Sequence, residues 1–217
     1  MSTETNSNPQ IQPSQTPISV IANVSRVVSR SVDRVTGDRS DYPLLVACSV
    51  VEALKKHGIE SRVMYGHAAW IEVLENHALQ WAGCWGESLY FWVATQYGEI
   101  VDLNSSVAFK KRAHASPSQK SIHSPPILWS NEVPRFYRYV PEGVAEIELH
   151  DSKDQKKFET ILFDINQKCK PELLSDDEEF PNEPIICPGR KLLDDSTGTF
   201  KMFDRTLAVT GIPDSPI

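Results

Sequence analysis

The sequence predicts an α+β fold in which a central helix packs on an antiparallel β-sheet. Two observations carry this prediction. Between residues 18 and 58 the apolar residues recur every three or four positions, which is the period of an amphipathic helix. From Arg62 to Leu103 the period falls to about two, which is typical of strands with a buried face. Helices followed by a run of strands indicate segregated α and β regions.

Two helices precede the strands. The first begins near Ile18, carries a valine-rich stripe and ends at Gly37. The second is the apolar stretch YPLLVACSVVEALKKHG, with Pro43 in its first turn and Gly58 at its end. Apolar residues cover more than half of its circumference, so we expect the second helix to lie buried at the centre of the domain.

Four strands are predicted between Arg62 and Leu103. SRVMYGHAAWIEV and ALQWAGCW form a hairpin around the turn ENH, and SLYFWVATQYGEIVDLN forms a second hairpin. The next stretch, KKRAHASPSQKSIHSPP, is predicted to be a basic, polar loop. ILWSNEVPRFYRYVP then returns aromatic side chains to the sheet or to a groove, and Asp151 is predicted to cap a third helix.

The length of 217 residues suits one domain with tails. We expect this α+β domain at residues 18–170. A polar, proline-rich segment at residues 1–17 is predicted to be disordered, and an acidic linker and C-terminal extension occupy residues 171–217. Residues 1–140 hold 13 Lys and Arg against 12 Asp and Glu, whereas residues 141–217 hold 9 against 17. The C-terminal third therefore carries the excess acid.

The composition excludes several classes of partner. A net charge of −7 argues against nucleic acid and anionic membranes, because both require a basic face. No stretch approaches the ~18–20 apolar residues of a transmembrane helix, and the first residues do not resemble a secretory signal. The four cysteines lack paired-ligand spacing, so we expect neither a metal nor a cofactor, and thiols kept reduced in the cytoplasm.

The order of a central helix and then an antiparallel sheet resembles the papain-like and transglutaminase-like cysteine hydrolases. The resemblance covers residues 38 to 140 and rests on KKHGI at Lys55–Ile59, RVMYG at Arg62–Gly66 and FWV…GEIVDL at Phe91–Leu103. HAAWIEV…WAGCWG…FWVAT..GE.VDLN is also similar to an uncharacterised bacterial family of unknown function that is grouped with that fold. The resemblance implies thiol-dependent acyl transfer, meaning hydrolysis or transamidation of an amide or thioester.

Such a site needs a cysteine on the central helix, a histidine on a facing strand and a carboxylate that orients the imidazole. Cys48 is the cysteine on the helix and Asp102 is the carboxylate. The resembling motif is His, any residue, Trp and a hydrophobic residue, and this chain has Tyr90 in the histidine position. A phenol titrates near pH ~10 and is a poor base at neutral pH. His67, on the preceding strand, is the alternative base.

Each of these residues also has a purely structural interpretation. Cys48 is equally well explained as a core cysteine, His67 as a strand histidine beside the core, and Asp102 as the cap of the turn that follows it. Cys84 is a second candidate thiol, although a strand offers no helix dipole to lower its pKa. His77 is expected in a solvated turn, and His114 and His123 in a loop.

A competing hypothesis is a catalytically inactive binding module on the same fold. Tyr90 in the histidine position motivates it. An aromatic groove and the acidic C-terminal third would then recognise an unknown protein or peptide partner, and the excess acid favours a basic one. The predicted groove residues are Trp70, Trp85, Trp92 and Trp129. The sequence alone leaves the hydrolase and the binding module open.

Overall fold

A computed structural model describes residues 14–112, 120–146, 152–174, 180–181 and 183–188. The fold is α+β, as predicted. Its helices are α1 (Ile18–Thr36), α2 (Pro43–Lys56) and α3 (Ser152–Lys168), with short 3-10 segments at Arg39–Asp41, Ser105–Arg112 and Pro171–Leu173. The predicted capping residue of the third helix, Asp151, lies outside the described residues, as do most residues of the acidic C-terminal third.

The strands form one curled, mixed sheet. They are β1 (Ser61–Leu74), β2 (Leu79–Cys84), β3 (Tyr90–Thr95), β4 (Ile100–Asp102), β5 (Ser121–His123), β6 (Ile127–Ser130), β7 (Tyr137–Val144) and β8 (Ile185–Ile186). The sheet order is β2-β1-β3-β4-β6-β8, and β5 and β7 pair with β1. The predicted basic loop therefore contains the end of a 3-10 helix and a short strand.

The second helix occupies the central position that its apolar circumference predicts. α2 contacts α1, α3, β1 and β3, and its buried residues run almost without interruption from Leu45 to Leu54. Gly37 follows α1 with φ +84° and Gly58 follows α2 with φ +69°, so both helices end on glycines in the left-handed region.

The curl of the sheet follows from β1, which has 14 residues and changes partner along its length. Its first half pairs with β3 and its second half with β2, while β7 runs along the other edge. Gly66 permits the close approach of β7, because a Cβ atom there would lie 2.2 Å from the carbonyl oxygen of Val140. The change of partner along β1 curls the sheet, and the curl gives the sheet a concave side.

Two predicted features need correction. The sheet is not wholly antiparallel, because β6 and β8 pair in parallel, with Ile127 opposite Ile185. β8 also lies beyond residue 170, where the domain was predicted to end. Ile185 and Cys187 are buried in the main core. Because these two side chains are apolar, this part of the acidic extension packs with the domain.

Thr16 lies within the segment that was predicted to be disordered, and the structure gives it defined contacts. Thr16 is buried, and its backbone N–H and hydroxyl donate hydrogen bonds to the two carboxylate oxygens of Glu99, at 3.0 and 2.6 Å. Thr95 and Trp129 donate to the same carboxylate. The buried carboxylate of Glu99 needs hydrogen-bond donors, and Thr16 supplies two of them. The polar composition of residues 1–17 does not reveal this role.

The two faces of the sheet carry different cores. The face against the helices, called here the helix face, contributes Val63, Val93, Val101, Ile127 and Trp129 to one hydrophobic cluster with α1, α2 and α3. The opposite, concave side, called here the inner face, contributes Trp70, Tyr90, Trp92, Leu128 and Tyr137 to a second cluster. Because side chains alternate along a strand, neighbouring residues such as Val101 and Asp102 serve different faces.

Candidate functional site

Asp102 is the centre of a hydrogen-bonded cluster on the inner face. Its Oδ1 accepts hydrogen bonds from the hydroxyl of Tyr90 at 3.1 Å and from the backbone N–H groups of Asn104 at 2.9 Å and Ser105 at 3.1 Å. Its Oδ2 accepts from the hydroxyl of Tyr139 at 2.6 Å. The side chain is buried. Both oxygens of the carboxylate are therefore occupied, and Asp102 does cap the turn that follows β4.

Burial dominates the electrostatics of this cluster. It raises the pKa of Asp102 above its usual 3.8, while the hydrogen bonds from Tyr139, Asn104, Tyr90 and Ser105 act in the opposite direction. Burial, together with the charge of Asp102, raises the pKa of Tyr90, and likewise of Tyr139, well above 10. These phenols are donors at neutral pH and do not act as bases.

Positions 90 and 102 are in contact. The ring of Tyr90 lies against Trp70, with centroids 5.2 Å apart, and its hydroxyl reaches Asp102. An imidazole at position 90 would offer the carboxylate an N–H and keep a second nitrogen as a base. The phenol offers only the donor.

Cys48 lies away from this cluster. It sits in the middle of α2, belongs to the helix-face core and is 7% exposed. Burial, with a smaller contribution from the charge of Glu52, raises the pKa of its thiol to about 12. Cys48 lines a cavity of about 470 Å³, whose other lining residues include Val63, Phe158, Glu52, Gln155 and Glu159. Cys48 therefore has the environment of a core cysteine.

His67 does not join Cys48 to Asp102. Its Nε2 lies 2.9 Å from Oε1 of Glu142 on β7, and its Nδ1 makes no hydrogen bond to any described residue. The predicted orienting hydrogen bond between His67 and Asp102 is thus not formed. The three predicted catalytic residues remain separate, because Cys48 packs on the helix face and the carboxylate of Asp102 bonds tyrosines of the inner face.

The predicted aromatic groove is only partly assembled. Trp70 and Trp85 line one cavity, together with Trp81. Trp92 is buried against Tyr139, with ring centroids 5.2 Å apart. Trp129 is buried on the helix face, where it donates to Glu99. Trp92 and Trp129 therefore do not line the cavity with Trp70 and Trp85, because Trp92 is buried within the inner-face cluster and Trp129 lies on the helix face.

The cavity at the concave side of the sheet has a volume of about 340 Å³. We call it the aromatic cavity. Its aromatic walls are Trp70, Trp81, Trp85 and Tyr90, and its polar lining residues are Ser40, Glu72, Cys84, Asn104 and Lys111. Through Tyr90 the cavity adjoins the Asp102 cluster. No histidine lines it among the described residues.

Two lining residues bear on its chemistry. Glu72 is buried, and its carboxylate accepts hydrogen bonds from Nε1 of Trp70 at 2.9 Å and from the hydroxyl of Ser121. Burial raises the pKa of the Cys84 thiol, while the charge of Lys111 opposes that effect. Cys84 is therefore a neutral thiol beside the cavity at neutral pH.

The remaining histidine candidates lie elsewhere. His77 is exposed in the turn between β1 and β2, with φ +62°. His123 is on β5 near Phe109, with ring centroids 6.4 Å apart. His114 lies outside the described residues. All four cysteines are thiols rather than disulfides, and within the described ranges no three His, Cys, Asp or Glu side chains are placed to hold a metal.

Sequence reasoning missed Tyr139, Asn104 and Lys111 as site residues. The alternation in YRY does place Tyr137 and Tyr139 on one face, but the sequence cannot show that β7 crosses from beyond residue 130 to pair with β1. Lys111 lies in the predicted polar loop, and only its folding into a 3-10 helix brings it to the cavity.

Comparison with known proteins adds one distant structure. No protein-family model matches the chain, and no curated protein matches it. A solved structure described as "The crystal structure of genomics APC5867" matches 71% of this chain and 83% of its own, at 14% identity and a TM-score of 0.41. This likeness is too low to carry an argument about fold or function. Across the described residues, no helix has the length and apolar character needed to cross a membrane.

Proposed function

We propose that this protein is a non-catalytic binding module on a papain-like arrangement of central helix and sheet, and that its ligand occupies the aromatic cavity. The observation that supports the proposal is the state of Asp102. Two phenol hydroxyls and two backbone N–H groups occupy its carboxylate. In a cysteine hydrolase the corresponding carboxylate orients an imidazole.

The chemistry of the neighbouring groups also favours binding over catalysis. A catalytic thiol needs a lowered pKa and a base within hydrogen-bond reach. Burial raises the pKa of Cys48 to about 12, and Tyr90 holds a proton at neutral pH because burial raises its pKa as well. The sequence resemblance implies descent from a hydrolase. Such descent would have kept the carboxylate of Asp102 and replaced the catalytic histidine with Tyr90.

The aromatic cavity has the properties of a small-ligand site. Its volume of about 340 Å³ is at the lower end of the roughly 300–1,000 Å³ typical of such sites. Aromatic walls with a few polar groups are the usual lining. A small molecule, or one side chain of a peptide partner, fits this volume. The thiol state of the cysteines supports a reducing compartment such as the cytoplasm.

Ligand-observed NMR with a mixture of aromatic fragments tests the proposal. Wild-type protein is expected to bind some fragments, and Ala108→Phe is expected to abolish that binding, because Ala108 lines the cavity and the larger side chain fills it. Ala78→Phe is the matched control, since Ala78 is exposed in the β1–β2 turn. Binding that Ala108→Phe leaves intact, or the absence of any binding, contradicts the proposal.

Thiol-dependent acyl transfer is the second candidate, and the observation that favours it is Cys84 in the wall of the aromatic cavity beside Lys111. Iodoacetamide labelling from pH 5 to 9, with mass spectrometry to locate the modified cysteine, separates the two functions. The binding module predicts slow labelling of Cys84 at pH 6 and protection of Cys48 throughout. Fast labelling of either thiol at pH 6 would instead support the enzyme.

A further inference from the structure

Arg39 is a buried cation that joins three parts of the chain. Its side chain is 1% exposed, and an arginine is almost never buried so fully unless its charge is paired. The guanidinium bonds the carboxylates of Asp33, near the end of α1, and of Glu183, in the C-terminal extension. Its Nε donates to the carbonyl oxygen of Leu103, just after β4, at 3.2 Å. One side chain therefore connects the helix layer, the sheet and the C-terminal extension.

The same residue holds one wall of the aromatic cavity. Ser40 and Asn104, which line the cavity, follow Arg39 and Leu103 directly in the chain. The Nδ2 of Asn104 donates to the carbonyl oxygen of Arg39 at 3.0 Å. Both the backbone and the guanidinium of Arg39 are thus bonded to the turn after β4. A displacement of Arg39 would therefore move both lining residues.

Glu183 is brought to Arg39 by β8, the strand that follows it. β8 pairs in parallel with β6, and the backbone N–H of Ile127 donates to the carbonyl oxygen of Pro184 at 2.9 Å. Because β8 has two residues, few backbone hydrogen bonds hold it in place. The ion pair between Glu183 and Arg39 is therefore a substantial part of the polar contact between this segment and the domain.

Loss of the Glu183 carboxylate would disturb Arg39 more than the loss of a surface ion pair would. The side chains of Glu183 and Asp33 are 31% and 36% exposed, whereas the guanidinium between them is buried. A buried cation that loses a charged partner keeps its desolvation cost, so it must find another acceptor or move toward water. Either response shifts the residue to which the cavity wall is bonded.

We infer that Arg39 is the positioning residue of the aromatic cavity, and that it holds the cavity wall in place when Glu183 is docked against it. The C-terminal extension then acts on the cavity from a distance, since no described residue beyond Lys111 lines the cavity. Coupling between two sites is reciprocal, so a molecule in the cavity also stabilises the docked position of β8. The effect on ligand affinity rests on the proposed binding function.

Hydrogen exchange of single amides, followed by NMR on the full chain, tests this coupling in Glu183→Gln. The N–H of Ile127 reports the docking of β8, because it bonds the residue before that strand. The N–H groups of Asn104 and Ser105 report the cavity wall, because they donate to the buried carboxylate at the end of β4. We expect exchange at all three to rise about tenfold, as for one lost hydrogen bond to a charged group. Exchange at Ile71, whose N–H is bonded outside both regions, should not change.

Two further variants locate the effect. Lys110→Gln is the matched control, because it breaks a partly exposed ion pair with Asp38 that does not include Arg39, and it should leave all of these amides unchanged. Ser106→Ala is a milder test of the same contact. The hydroxyl of Ser106 donates to Glu183 at 3.0 Å and accepts from the Arg39 guanidinium, so we expect a smaller rise at the same amides.

The fragment NMR assay measures the consequence for binding. An aromatic fragment that the wild-type protein binds in the cavity is expected to bind Glu183→Gln at least fivefold more weakly, which is the lower end of typical coupling between sites. The same fragment should slow hydrogen exchange at Ile127 in the wild-type protein, because the coupling is reciprocal.

The outcomes separate a positioning role from a merely structural one. Faster exchange at Ile127 alone would mean that Glu183 fastens β8 and does not position the cavity wall, which overturns the inference. An equal rise at Ile71 would mean that Glu183 stabilises the whole domain, and it overturns the inference as well. Fragments that bind Glu183→Gln as tightly as the wild-type protein also overturn it and leave the binding module standing. Because the amides are measured without a ligand, the absence of any fragment binding contradicts the proposed function and not the coupling.

Discussion

The two faces of the sheet solve the same packing problem in different ways. On the helix face, Val93 and Val101 pack against α2, and Cys48 is one more apolar group in that layer. Trp92 and Asp102 are the sequence neighbours of those valines and point to the inner face. There they belong to an aromatic layer in which the buried carboxylate of Asp102 accepts hydrogen bonds from tyrosine hydroxyls. The helix face is mainly aliphatic and the inner face mainly aromatic, and each satisfies a buried acid: Trp129 of the helix face donates to Glu99, and tyrosines of the inner face donate to Asp102.

This difference teaches where function can reside in the molecule. On the helix face, Cys48 is 7% exposed and burial raises the pKa of its thiol to about 12, so the thiol is protonated at neutral pH. The inner face keeps polar atoms beside an open space of about 340 Å³. The resemblance to cysteine hydrolases directs attention to the helix, whereas Asp102 and the aromatic cavity involve the tyrosines and tryptophans of the inner face.

The largest expected effect on the inner face comes from Asp102→Ala. The substitution leaves the hydroxyls of Tyr90 and Tyr139 and two backbone N–H groups without their acceptor. We expect the free energy of unfolding to fall by about 4 kcal/mol in urea denaturation. Asp41→Ala, at an exposed site, is the control and should change it by less than ~0.5 kcal/mol. A loss below ~1 kcal/mol would show that the network is not structural.

Asp102→Asn sharpens the same test through its pH dependence. Because burial raises the pKa of Asp102, its contribution to stability is fully present below the usual 3.8 and is lost as the pH rises through the raised value. The amide cannot titrate. Wild-type protein should therefore lose stability relative to Asp102→Asn as the pH rises from below 3.8. A difference that stays constant with pH, or moves the other way, contradicts the raised pKa.

Leu54→Ala measures the helix face. Leu54 is fully buried at the end of α2 in the layer that holds Cys48. Loss of its side-chain contacts should cost about 3 kcal/mol, with no dependence on pH between 4 and 8. Chemical denaturation at several pH values checks both statements. A pH-dependent loss would mean that this layer is coupled to a titrating group, against the distinction between the faces.

Cys48→Ser distinguishes a core thiol from a functional one. A hydroxyl in this apolar layer should cost about 2 kcal/mol, while ligand binding in the aromatic cavity should be unchanged. Thermal unfolding and the fragment NMR assay measure the two effects on one sample. Cys48→Ala is the control, because it removes the sulfur without adding a polar group. Loss of binding in both variants would place Cys48 in the functional site.

Position 90 should give the smallest effect on stability. Tyr90→Phe removes one of the four donors to Asp102 and should cost about 1 kcal/mol. Tyr90→His restores the histidine of the resembling motif, yet we expect no increase in iodoacetamide labelling of Cys48, because that thiol lies on the helix face. A labelling rate that rises in Tyr90→His would show that the two faces communicate and would revive the hydrolase.

The sequence predicted the elements with strong periodicity. α1, α2 and the strands from β1 to β4 follow from their apolar spacing, and the placement of Tyr90 and Trp92 on one face follows from strand alternation. It did not predict β5 and β8, which have three and two residues. Strands this short have no period of their own and depend on the neighbours that pair with them.

The site was predicted less well than the fold for a specific reason. Both faces of the sheet are rich in apolar residues, so the pattern does not say which face α2 covers. The placement of Cys48 opposite Asp102 depends on that choice, as does the separation of Trp129 from Trp70. Lys111 reaches the cavity through the end of a 3-10 helix that was predicted as a polar loop, and Asn104 was predicted as the end of the second hairpin.

The contact between Thr16 and Glu99 has a practical consequence for anyone who shortens the chain. A fragment that starts at Ile18 keeps every residue of α1 but removes two donors from a fully buried acid at the end of the β3–β4 hairpin. Thr95 and Trp129 alone would then have to satisfy it. A fragment that starts at residue 14 keeps both donors, so in it the carboxylate of Glu99 retains all of the hydrogen bonds that it accepts in the longer chain.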